Sequence, residues 1–401
     1  MTVPKLRFKE FDEDWMLTTL NQLSTKIGDG IHATPKYDES GTIPFINGNN
    51  LVNGRIAINE NTKRISSEEF QKYNQILSDR TLFLSINGTI GNLAFYKNEK
   101  VLLGKSVCFI NLKNDLDKKF IYLLLQSPQL TKTLNSELTG TTIKNLSLAT
   151  VRNSEFYCPI KAEQTKIASF LSAVDEKISQ LTQKHELLSQ YKQGMMQKLF
   201  SQQIRFKADD GSEFGEWEKV KLGSLLIKHD EKTEFNNQYP VLTSSRHGIY
   251  FQKDYFAGQD VASADTTGYN VVPYDYFTYR HMSDDLVFKF NINTICPKGI
   301  VSTLYPVFTV KDEHLNKYFL QTILNEGQEF KNFAIMQKQG GSRTYMYFSK
   351  LSELVLTIPC LEEQTKIANF LSSIDQKIEV VAQQIEQAKQ WKKGLLQQMF
   401  V

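Results

Sequence analysis

Two stretches of this chain are nearly the same text. EQTKIASFLSAVDEKI begins at Glu163 and EQTKIANFLSSIDQKI at Glu363, and residues 159–200 align with 359–400 without a gap. A period of a few tens of residues would mean a solenoid. A period of two hundred in a chain of 401 residues means two similar halves, each closing on the same element.

Each copy reads as a helix. Apolar residues step by four and three through Ile167, Leu171, Val174, Ile178, Leu181 and Leu188, then Met195 and Leu199. The second copy repeats the step through Ile367, Leu371, Ile374, Ile378, Val381 and Ile385, then Ala388, Leu395 and Met399. Such spacing is the narrow seam of a coiled coil, and at ~1.5 Å per residue each helix would be roughly 55 Å long. Pro159 and Pro359 mark where the two helices begin, since proline is tolerated just outside a helix or at its first turn. Two helices with one stripe each, separated by a whole domain, can cover each other as an antiparallel pair about a pseudo-twofold axis. His185, Lys192 and Lys392 fall on the seam, either as register-setting polar residues or as a switch.

The stretches between the copies also begin alike. LRFKEFDEDW and IRFKADDGSEFGEW both give Arg-Phe-Lys, then acidic residues, then Trp15 or Trp217. Their interiors differ, but both mix short strands, Gly and Asn turns and a helix before the next repeat, which is the pattern of an α+β domain with a curved sheet. The expected layout is a first head at 1–157, a long helix at 158–201, a second head at 202–358 and a second long helix at 359–401.

Several activities find no motif. LGKS at 103–106 lacks the upstream glycine of a phosphate-binding loop, where Glu99 stands instead. No HExxH, nucleophile elbow, glycine-rich cofactor loop or Asp/Asn-Pro-Pro-aromatic run occurs. The four cysteines never form CxxC, which argues against a zinc site or disulfide framework. The acidic pairs Asp284–Asp285 and Glu362–Glu363 read as helix caps and solvated surface. No apolar run reaches the ~20 residues of a membrane span, and a cytoplasmic location is expected. Net charge is about +3 over 1–157 and about −2 over 202–358, so bulk charge alone does not point to nucleic acid.

The twice-used P-x-x-x-E-Q-x-x-I-A-x-x-L-x-x-x-D-x-x-I opening, the Trp-containing head starts, and NGTIG and KGIVSTLYPVF within the heads together resemble the specificity subunits of type I restriction-modification systems, over essentially the whole chain. The resemblance implies two target recognition domains, each reading half of a bipartite asymmetric site in double-stranded DNA, on a helix pair that sets the gap. It further implies docking of two methyltransferase subunits and, in the full complex, two translocase/endonuclease subunits. S-adenosylmethionine, ATP and Mg would belong to those partners, with no cofactor, metal or catalytic residue in this chain and no membrane partner. If the helices act as a ruler, about four added residues, or ~6 Å, should widen the unread gap by one or two base pairs. A coiled-coil scaffold without DNA readout, or an enzyme with an unrecognised site, are the alternatives.

Base edges are read by Arg, Lys, Asn, Gln, Ser and Thr, with phosphate contacts holding register. In the first head the candidates are Lys26, His32, Thr34, Lys36 and Tyr37 in one loop; Asn47, Asn49, Asn50 and Arg55 in a second; Ser85, Asn87 and Thr89 in a third; and Thr141, Thr142, Lys144 and Asn145 in a fourth. In the second head they are Ser244, Ser245, Arg246, His247 and Tyr250; Tyr279, Arg280 and His281; and Gln339, Ser342, Arg343 and Tyr345. Arg246, Arg280 and Arg343 stand out, because guanidinium suits both guanine and phosphate.

Overall fold

The computed structural model describes residues 3–73, 75–140, 144–258, 262–338 and 342–401. The chain divides into two compact units, Met1–Gln183 with Val381–Val401, and Lys184–Val380. The long helices run Lys161–Phe200 and Leu361–Met399, so each contributes its two halves to different units.

In the first unit the central sheet comprises β1 (Ser24–Asp29), β2 (Thr81–Asn87), β3 (Thr89–Phe95) and β4 (Val107–Leu112) in the order β1-β4-β2-β3, all antiparallel. Side chains alternate across a strand, and β2 is covered on both faces. Leu82, Leu84 and Ile86 join a core with Cys108, Ile110 and the helix Lys118–Leu125, while Phe83 joins a second cluster with Ile46, Val107 and Phe109. The second unit repeats the plan with β5 (Leu226–His229), β6 (Phe277–Thr278), β7 (Asn291–Ile292) and β8 (Val307–Val310) in the order β5-β8-β6-β7. Its core is aromatic: Phe277 stacks on Phe308 at 4.8 Å, and Tyr279 lies 4.4 Å from Phe290 between ring centroids. In both units a two-stranded ribbon brings the start of the head to its end. Met16–Thr19 pairs with Glu155–Cys158, and Glu218–Lys221 with Val355–Ile358.

The repeated Arg-Phe-Lys and Glu-Gln texts prove to be partners. Arg7 Nε and Nη2 donate to the Glu163 carboxylate at 2.8 Å each, and Arg205 Nε and Nη2 donate to Glu363 at 3.2 and 2.7 Å. Both glutamates are fully buried, which corrects the reading of Glu363 as solvated surface: a carboxylate out of water needs a charged, hydrogen-bonded partner. Hydrogen bonding to Glu163 and Glu363 raises the pKa of both guanidinium groups. The neighbouring amides also share one task. Gln164 accepts from Asp117 N and donates to Pro159 O, while Gln364 accepts from Asn316 N and donates to Pro359 O. Asp117 and Asn316 are the N-caps of equivalent helices. Phe8 meets Phe170, and Phe206 meets Phe370, edge to face.

Within each unit the long helices run antiparallel. In the first, the N-terminal half of one helix (Ile167, Leu171, Val174) shares a core with the C-terminal half of the other (Leu395, Leu396, Met399). In the second, Ile367, Leu371 and Ile374 share a core with Met196 and Leu199. Leu181 and Val381 are also buried, whereas Ile178, Leu188, Ile378 and Ile385 are half-buried. Burial falls on Met196 rather than Met195.

The seam lysines are ion-paired. Lys392 reaches Asp175 at 2.7 Å, and Lys192 reaches Asp375 and Glu326 at 2.8 Å each. The Lys392 side chain is 18% exposed and Asp175 43%, which makes the pair unequal. Asp175→Ala strands a mostly buried ammonium and should cost ~1–3 kcal/mol in urea unfolding. Lys392→Met leaves a carboxylate that water can reach and should cost less than ~1 kcal/mol. The reverse order would contradict this placement.

Candidate nucleic-acid interface

In the first unit the loops at 47–55, 87–89 and 144–145 are brought together on β2 and β3. The β2–β3 turn is bonded to the fourth candidate loop: Gly88 N donates to Lys144 O, Leu146 N to Ile86 O at 2.8 Å, and Asn87 Nδ2 to Asn145 Oδ1 at 3.3 Å. The second loop opens with a 3₁₀ turn, Gly48–Asn50, that lies against β2. A Cβ on Gly48 would come within 2.8 Å of the Ser85 Cβ, so only glycine fits this approach. Asn47 Oδ1 accepts from Ser106 Oγ, Asn50 Oδ1 accepts from Asn47 N, and Asn50 Nδ2 donates to Ala57 O. Asn53 and Gly54, both at positive φ, then make the tight hairpin turn that presents Arg55. The second loop is thus held by its own amides. Asn49, Arg55, Thr89 and Lys144 remain exposed.

The first candidate loop is attached differently. Ile31 N donates to Leu103 O, and Lys36 N donates to Glu69 Oε1. His32 Nε2 lies 2.8 Å from Asp29 Oδ2, Tyr37 packs on Phe45 at 5.8 Å, and Lys26 is exposed on β1. Among the described residues Lys26, Lys36, Arg55 and Lys144 have no ion-pair partner, so four candidate cations face solvent. Thr141 and Thr142, like Gln339 of the second head, lie outside the described residues.

The second unit gathers all three of its candidate loops around two aspartates. Arg246 sits at the tip of the hairpin formed by Leu242–Ser245 and Gly248–Phe251. Its Nη1 and Nη2 donate to Asp285 Oδ2 and Oδ1 at 2.8 and 2.7 Å. Ser283 Oγ and Val287 N also donate to Asp285. With Arg246 the largest influence, these bonds hold that carboxyl well below its usual range, at about 2. Arg343 Nε donates to Asp284 Oδ1 at 2.9 Å. Met282–Ser283 pairs with Thr344–Tyr345, and Met346 N donates to His281 O. This junction matches the one between Leu146 and Ile86 in the first unit. Buried Asn291 ties β7 to the hairpin through Ser244 Oγ and Ser245 O. Ser245 accepts from His247 N, and His247 is exposed.

Some sequence readings need correction: Ser85 and Ser244, at 0% and 8% exposure, lie inside the fold and do not present a base-reading hydroxyl. Tyr279 is fully buried and donates to Met346 O at 2.9 Å, so its ring is core and cannot meet a base; burial pushes its phenol pKa up. His281 is only 7% exposed, with Nδ1 against Leu304 O and its ring stacked 5.0 Å from Tyr347, so it braces the loop. Asp284 and Asp285 do lie at the surface, 65% and 49% exposed, and each also holds an arginine. Tyr345 remains 42% exposed and stacks on Tyr347 at 5.8 Å. Arg280 is exposed and makes no hydrogen bond or ion pair among the described residues.

Among the described residues no helix is long and apolar enough to cross a membrane, and no group of three His, Cys, Asp or Glu could hold a metal ion. Known proteins give a consistent match. The family model described as the type I restriction modification DNA specificity domain fits residues 12–190 and again 215–390. The type I restriction enzyme MjaVIII specificity subunit of Methanocaldococcus jannaschii is 25% identical over 418 residues, covering 96% of this chain and 91% of that one. The MjaIX specificity subunit of the same organism is 23% identical over 329 residues, covering 69% and 74%. The crystal structure of a type I restriction-modification S subunit from M. genitalium superposes with a TM-score of 0.59 at 18% identity, over 100% of this chain and 99% of that one. A chain from a structural study of complex assembly and conformational transition in the type I R-M system gives 0.55 at 13% identity, over 95% and 96%.

Proposed function

Because the chain belongs to the type I restriction-modification DNA specificity family, we propose that its two units each read one half of a bipartite, asymmetric site in double-stranded DNA. The long helices set the gap between the halves and dock two methyltransferase subunits. Two translocase/endonuclease subunits join in the restricting complex. S-adenosylmethionine, ATP and Mg are held by those partners, this chain contributes recognition without catalysis, and the complex works in the cytoplasm.

One observation carries the reading. The same loop junction is built twice, once around Asn87, Lys144 and Asn145 and once around Met282, Thr344 and Tyr345, with Arg280 and Arg343 next to it in sequence. An identical frame carrying different base-reading chemistry is what an asymmetric site requires. Phosphate contacts from exposed cations supply affinity without sequence information.

The test is genome-wide mapping of methylated adenines in cells carrying the chain with its methyltransferase partner, beside duplex binding at two salt concentrations. A two-part motif with unlike halves is expected. With 6–10 phosphate contacts, affinity should fall ~10³–10⁵-fold between 50 and 200 mM salt. Helix-mediated assembly without duplex binding would leave a scaffold, and methyl transfer by the chain alone would make it an enzyme.

A further inference from the structure

We propose that Arg343 reads a guanine in the half-site of the second unit, with Asp284 as the positioning residue that fixes its guanidinium. The inference rests on the DNA-reading function proposed above and assigns one base pair and one pair of side chains within it.

The three arginines of this unit are held in three different ways. Arg246 has both terminal nitrogens engaged end-on by Asp285, so the edge that could span two acceptors on a base is already occupied. Its task is to clamp the hairpin tip to the loop that follows β6. Arg280 is exposed with no hydrogen-bond or ion-pair partner among the described residues. An exposed guanidinium with no such partner suits a phosphate, where direction matters little.

Arg343 is bonded through Nε alone, at 2.9 Å from Asp284 Oδ1, and its side chain is 53% exposed. One bond at Nε orients the plane of the guanidinium while leaving Nη1 and Nη2 unbonded among the described residues. Two parallel N–H donors match a base edge that offers two acceptors side by side. In the major groove only guanine does so, with O6 and N7. Adenine offers one acceptor beside a donor, thymine one acceptor beside a methyl group, and cytosine a donor. Fixing the side chain beforehand reduces the rotamer entropy lost on binding.

Charge separates the two roles further. Arg343 and Asp284 together are near neutral, and a carboxylate beside the guanidinium repels phosphate, so the pair belongs at a base edge rather than on the backbone. The neighbouring strand fixes its place. Thr344 and Tyr345 pair with Ser283 and Met282, which puts the residue before that strand beside the residue after it. The equivalent junction of the first unit carries Asn87 and Asn145, with no guanidinium, so the effect should be confined to one half-site.

The experiment maps the methylated motif for the complete complex carrying the parent chain, Arg343→Ala, Arg343→Lys, Asp284→Asn or Arg280→Ala. The parent motif should contain a G·C pair in one half that both Arg343 variants cease to specify, with discrimination falling about 5- to 150-fold. The other half should stay intact, which reports an assembled complex. Asp284→Asn should blur the same base pair while raising affinity for unrelated duplex, because a negative charge is lost; damage to the fold would lower both. Arg280→Ala should weaken every sequence alike. If the Arg343 variants leave the motif unchanged, or lower methylation evenly at all sites, the guanine assignment is wrong and DNA reading stands. If the parent complex shows neither a motif nor duplex binding, the proposed function fails and takes the assignment with it.

Discussion

Arg7→Ala should destabilise the first unit by ~3–5 kcal/mol, and Arg205→Ala the second by ~3 kcal/mol, the lower end of the range for breaking a buried ion pair. The order follows from what each glutamate keeps. Glu163 is left without another side-chain donor among the described residues, whereas Trp217 Nε1 still donates to Glu363 at 3.2 Å. Arg7 is also the more enclosed, at 12% exposure against 24%. In both variants a carboxylate at essentially zero exposure loses its countercharge, and the penalty is the stranded ion rather than the lost attraction. Replacing both partners, as Arg7→Met with Glu163→Leu, should therefore recover most of the loss. Denaturant unfolding checks the series. Single variants within ~1 kcal/mol of the parent would mean that water reaches these carboxylates.

Tyr279→Ala should cost ~3–5 kcal/mol, because it empties an aromatic site of full size within a closed core. The ring lies against Phe290 and Phe308, and neither neighbour is a flexible side chain that could refill the space. Tyr279→Phe keeps the ring and loses only the bond to Met346 O, for ~1 kcal/mol. The same variant separates structure from recognition. A core tyrosine predicts an unchanged methylation motif for Tyr279→Phe, and a motif that shifts would return Tyr279 to the reading surface.

The sequence and the coordinates meet most closely where information is periodic. Steps of four and three announce the helices, and the seam residues Ile167, Leu171, Ile367 and Leu371 are buried as that spacing requires. Arg7 and Glu163 stand 156 residues apart, beyond any local rule. The clue is that both texts repeat, with the Arg and the Glu 156 residues apart in one half and 158 in the other. Tyr279 looks like a loop residue in the sequence, although strand alternation could have placed it: Tyr279 and His281 face inward and Arg280 outward. Asp284 and Asp285 could not be assigned from adjacency, because their arginines arrive from a hairpin and a strand distant in sequence. Nor do the internal analogies hold throughout. Trp217 braces Glu363, but Trp15 packs on Phe120 in the core, its Nε1 without a hydrogen-bond partner among the described residues.

Residues 381–401 complete the core of the unit that contains residues 3–183, where Phe400 packs on Phe120 and Leu6 N bonds to Gln398 O. During translation that unit must wait until residues 381–401 have been made before its apolar faces close, a loop closure of long span and a window for aggregation. A premature stop codon near residue 380 would accordingly injure the part of the protein made first and spare the part made later.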